Sequence, residues 1–62
     1  MRTICVWIED TVSNFEVCEK IANDFPCFFS IKNEMPLGWI EVSFLCRQED
    51  ASVIERRLSL LV

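Results

Sequence analysis

Four cysteines, at positions 5, 18, 27 and 46, have the widest chemical repertoire of any residues in this chain. Thiolates attack carbonyl carbons, hold zinc and pair as disulfides. Zinc and dithiol redox chemistry call for a close pair, roughly two to four residues apart. Here no two cysteines are nearer than nine positions. A cysteine nucleophile needs a neighbouring base, most often histidine, and the chain has neither histidine nor tyrosine. Gly38 is the only glycine, so no glycine-rich loop can cradle a phosphate. Two acid pairs, Glu9–Asp10 and Glu49–Asp50, have the oxygen chemistry of a hard-cation site. Each precedes a predicted helix, where carboxylates complement the positive end of the helix dipole. The expectation is a non-enzyme: no catalytic residue, no metal, no cofactor, and cysteines that serve as small reduced core side chains.

The elements that must place these residues follow from periodicity. In "TICVWIE", residues 3–9, Ile4, Val6 and Ile8 share one face of a strand, and Thr3, Cys5 and Trp7 share the other. Ser13 and Glu16 have capping-box spacing, with Val12 and Val17 placed for a hydrophobic staple. Phe15, Cys18, Ile21, Ala22 and Phe25 recur at helical intervals. Glu16 and Lys20 stand four apart in the favourable order, and Pro26 disfavours helix at Phe25. A helix over 14–24 results.

"CFFSIK", residues 27–32, reads as a second strand with Cys27, Phe29 and Ile31 inward. "NEMPLG" carries turn chemistry, and a third strand runs over 39–47 with Ile40, Val42, Phe44 and Cys46 inward. A second helix starts near Asp50 or Ser52; Ser52 and Glu55 again have capping-box spacing, and Ile54, Leu58 and Leu61 form its stripe.

The hairpin register expected from the inward residues faces Cys27 with Phe44, Phe29 with Val42 and Ile31 with Ile40. It makes Cys27 and Cys46 diagonal neighbours, about 7–8 Å apart and beyond easy bridging. It also sets Lys32 opposite Trp39, within reach of a cation–π contact.

The order βαββα, with a right-handed crossover, makes the first two strands parallel and inserts the third between them, antiparallel to both. The expected fold is α+β: a two-layer sandwich with a three-stranded antiparallel/mixed sheet of order 1-3-2 and two helices on one face. Its topology is that of a ferredoxin-like unit lacking the last strand. The whole of 1–62 forms a single domain on this reading. The first strand is then an open edge, a liability or a pairing site.

This arrangement brings apolar side chains to the side without helices. Trp7 and Trp39 lie near its top, Phe28 and Leu45 near its bottom. Patches of this kind mark interaction sites. Glu9, Asp10, Glu34 and Glu41 surround the upper part and suit a basic partner surface.

The net charge of −4 disfavours general nucleic-acid binding, which needs Lys and Arg for the phosphates, and a polybasic membrane surface. The apolar runs are too short for a membrane span. Charge at Glu9 interrupts the apolar N-terminal stretch before it reaches signal-peptide length, so a cytoplasmic location is expected.

The favoured function is a small acidic protein-binding module, a phage-type inhibitor engaging a basic surface of a nucleic-acid-processing protein. The alternative is a homodimeric regulatory or assembly domain, joined through the first-strand edge or the outer sheet face, with a small ligand at the seam. A third reading is an RNA platform; the outer aromatics match RNA-recognition modules in position only, without their basic, Gly/Phe-rich motif.

Overall fold

The computed structural model describes residues 1–33 and 36–62. Strand β1 (Arg2–Glu9) leads into helix α1 (Val12–Asp24), followed by β2 (Cys27–Lys32), β3 (Trp39–Cys46), a 3-10 turn (Gln48–Asp50) and helix α2 (Ala51–Ser59). The sheet order is β1-β3-β2, and β3 is antiparallel to both neighbours. This is the expected βαββα arrangement of a small α+β fold.

Strand alternation sorts the side chains into two layers. Ile4, Ile8, Ile40, Val42, Phe44 and Cys46 point inward and are buried. Cys18 and Ile21 of α1 and Ala51, Ile54 and Leu58 of α2 close over them in one cluster, and no polar side chain is buried among the described residues. Phe44 lies at the centre, stacked on Phe29 with ring centroids 5.3 Å apart, and Phe29 meets Phe15 edge-on at 6.0 Å.

The β2–β3 register differs from the expected one by two residues. Cys27 faces Cys46, Phe29 faces Phe44, and Ile31 faces Val42. A two-residue shift leaves the inward parity intact, so the buried face alone does not choose between the two registers. The outward residues do. In the observed register Phe28 faces Leu45, Ser30 faces Ser43, and Lys32 faces Glu41: apolar with apolar, small with small, cation with anion. The expected register would have set Phe28 against Ser43 and Lys32 against Trp39. Lys32 therefore does not lie opposite the Trp39 indole, and Cys27 and Cys46 are direct rather than diagonal partners.

The helix starts also differ. Helix α1 is capped by Thr11, whose hydroxyl accepts from the Asn14 amide at 3.1 Å, not by Ser13. The helix thus begins at Val12, which is exposed and closes no staple. Its C-terminus is as expected: Phe25, before Pro26, is extended and donates its N–H to Ile21. Lys20 pairs with Asp24 rather than Glu16. At α2, Asp50 holds the N-cap position, but its carboxylate takes the Arg47 guanidinium at 2.9 Å instead of capping. Helix α2 ends at Ser59, leaving Leu61 only partly buried.

Asp24 ties the two helices. Its carboxylate accepts from Arg57 at 2.9 Å and lies 3.5 Å from Lys20, while the Arg57 guanidinium covers the Phe25 ring. The Arg57 hydrogen bond is the main cause holding the Asp24 carboxyl below its ordinary range. A depressed folded-state value stabilises above the unfolded pKa and ceases to do so as pH falls through the folded one. The stability gap between the native chain and Asp24→Asn should therefore be present at neutral pH. It should close as pH falls from about 4, the ordinary carboxylate value, through the depressed folded-state value, as urea titrations at a series of pH values would show.

Candidate protein-binding face

The outer face of the sheet is a grid set by the two registers. At the bottom stand Thr3, Leu45 and Phe28. Above them come Cys5, Ser43 and Ser30; then Trp7, Glu41 and Lys32; and at the top Glu9 and Trp39. Among the described residues both helices pack on the opposite, inward face. Trp7 is 55% exposed, Trp39 43%, Phe28 75% and Leu45 42%. The two indoles are diagonal neighbours, since Trp7 faces Glu41 and Trp39 faces Glu9.

A tight turn fixes Trp39. Its N–H donates to Pro36 C=O at 3.0 Å, and Gly38 within the turn has φ of +92°, a conformation that costs a glycine little. The Gly38 carbonyl in turn accepts from Asp10 N–H at 2.8 Å. This bond ties the β3 entrance to the β1–α1 junction, so Trp7, Trp39, Glu9 and Asp10 sit on one hydrogen-bonded frame.

The structure thus brings Trp7, Trp39, Phe28, Leu45, Glu9 and Glu41 onto one face. Asp10 lies just beyond the top of β1. Glu34 lies outside the described residues. Thr3, Ser30 and Ser43, expected on this face but not among the expected binding residues, complete the surface. With Phe28 and Leu45 they line a shallow depression of about 340 Å³. Their alternation with the hydrophobic residues is the signal that places them there. A second recess, of about 360 Å³, lies on the helix side at the start of α1, between Phe15, Ile31 and Ile40.

Charge is unevenly compensated. Among the described residues Arg2 pairs with Glu55, Lys20 and Arg57 with Asp24, and Arg47 with Glu49 and Asp50. Glu9, Asp10 and Glu41 have no such bridge. The excess negative charge therefore includes the upper rim of the outer face, with Lys32 as the cation of that face. The acid pair Glu49–Asp50 is engaged by Arg47, and no three His, Cys, Asp or Glu side chains gather as metal ligands among the described residues.

The cysteines divide in the same way. Cys5 is exposed on the outer face, its Sγ 3.2 Å from Ser43 Oγ. Cys18, Cys27 and Cys46 are buried thiols. Burial pushes the Cys18 thiol up, and burial followed by the neighbouring Cys46 and Asp50 pushes Cys27 up. Ellman's reagent should therefore titrate Cys5 rapidly in the native chain and reach the other three only on unfolding. Fast reaction of a second thiol would show that the core opens locally.

Comparison with protein-family models, with curated proteins and with solved structures yields no match.

Proposed function

We propose that this chain is a small, non-enzymatic protein-binding module whose outer sheet face engages a basic surface on its partner. The observation that supports this most directly is the exposure of Trp7 and Trp39 together on one uncovered face. Tryptophan anchors supply much of the energy of protein interfaces, provided a rim excludes water around them. Phe28 and Leu45 extend the apolar surface, and Glu9, Asp10 and Glu41 supply the field. Acidic rims of this kind speed encounter with cationic patches and reject anionic ones.

The sharper form of the proposal is an inhibitor that occupies the basic groove of a nucleic-acid-processing protein. Such a groove offers cations for the rim and is blocked by an apolar plug. On this proposal the protein works in the cytoplasm.

Affinity capture from cells that naturally carry this sequence tests it. A partner with a basic surface should be retained at low salt, weakened by raised salt, and absent with Trp7→Ala/Trp39→Ala. Equal capture by that double variant would remove the outer face from consideration.

A further inference from the structure

We infer that β1 also pairs edge to edge with β1 of a second copy, forming a continuous six-stranded sheet about a two-fold axis. This uses the backbone of β1 and leaves the outer-face side chains pointing out of the sheet, with Trp7 beside the seam, so it does not require the proposed partner site.

The hydrogen-bond parity of the sheet defines what the edge offers. The bond from Asp10 N–H to Gly38 C=O continues the β1–β3 ladder. It places the ladder bonds at Ile8–Ile40, Val6–Val42 and Ile4–Phe44, because bonded and non-bonded pairs alternate in antiparallel strands. The N–H and C=O groups of Thr3, Cys5 and Trp7 therefore point away from β3, along the open edge. At Glu9 the carbonyl is already taken by Thr11 N–H and Asn14 Nδ2, each at 3.0 Å.

The two edges of the sheet are protected differently. Strand β2 starts after Pro26 and ends at Lys32, both of which discourage strand addition. Strand β1 is eight residues long, with neither proline nor lysine.

Self-pairing must match like faces and bonded with bonded positions. One such register centres on Val6, so that Val6 meets its own copy on the axis and Ile4 meets Ile8 of the second copy. Cys5 then bonds with Trp7 of that copy. Arg2, which pairs with Glu55 of its own chain, comes opposite Asp10, an acid with no ion-pair partner among the described residues, so the cation would stand between two carboxylates. The alternative centred on Cys5 would set Arg2 against the buried Ile8. The Val6-centred register also accounts for an oddity of the core. Val6 points inward between buried Ile4 and Ile8 yet is only half-buried; its counterpart on the axis would complete that layer.

Sedimentation equilibrium of the full chain under reducing conditions should show a dimer with Kd at or below about 100 µM. A 7.3 kDa species persisting to about 1 mM overturns the inference. Cys5→Pro removes an N–H that faces the edge and none that bonds to β3, a position where strands tolerate proline. It should retain the native circular dichroism and weaken the dimer at least about tenfold. Should that variant not fold, Cys5→Ser/Val6→Cys carries the test. Oxidised glutathione should cross-link it across the axis, where facing residues are closest. A cross-link through Cys5 in the native chain, with none through Val6→Cys, overturns the register. A dimer abolished by Trp7→Ala/Trp39→Ala but kept by Cys5→Pro belongs to the outer faces and overturns the edge.

Discussion

Phe44→Ala is expected to leave most of the chain unfolded at 37 °C. The side chain is fully buried and stacks on Phe29, which in turn braces Phe15 of α1. Truncating a buried phenylalanine costs about 3–5 kcal/mol, through lost transfer energy and the cavity left behind. At about 0.05–0.15 kcal/mol per residue, a chain of 62 residues has roughly 3–9 kcal/mol in total. A single core in a chain this short rarely exceeds about 3–5 kcal/mol, so the loss is comparable with everything the fold has. Phe44→Leu retains most of the volume and should stay folded, at a cost below the alanine variant. Urea unfolding followed by circular dichroism compares the three; an alanine variant within about 1 kcal/mol of the native chain would show that the aromatic stack is not the centre of the core.

Trp7→Ala/Trp39→Ala should behave in the opposite way. Both rings stand outside the core, and surface substitutions commonly change stability by about 0.5 kcal/mol or less each. The urea midpoint should move little. Binding to the partner should fall by about 100- to 1,000-fold, because each anchor of this type contributes about 2 kcal/mol or more and every 1.4 kcal/mol is a factor of ten. Glu9→Gln/Glu41→Gln should act mainly on the association rate and its salt dependence. Titration calorimetry and stopped-flow against the captured partner separate the two classes. Near-native affinity in the tryptophan variant would assign binding to another surface.

Much of this architecture is legible in the residues. Alternation in β1, β2 and β3 fixed which side chains are buried, and strand order followed from one crossover and one hairpin. The positions of Trp7, Trp39, Phe28 and Leu45 on the uncovered side followed from that parity alone. What parity does not carry is displacement by two. The β2–β3 register needed the outward pairs Phe28–Leu45 and Lys32–Glu41 to be weighed with the inward ones. Cap choice was hidden for a similar reason. Thr11 and Ser13 are both competent caps; where Thr11 caps, Asn14 also reaches the Glu9 carbonyl, a contact between elements rather than within one. The depression between Phe28 and Leu45 exists only once Ser30 and Ser43 are neighbours, so it appears with the register and not before.

Cys5, Ser43 and Ser30 cross all three strands as a low band between taller side chains. The bounding rows, at Leu45 and Glu41, stand four residues apart along β3, about 13 Å between backbones. Side chains on either flank leave room there for a single extended peptide or one ridge of a helix, whose full diameter is about 10–12 Å. On the proposed function, the band would gauge approach angle. A segment laid crosswise to the strands would seat between Phe28 and Trp7, whereas one laid along them would meet the indoles.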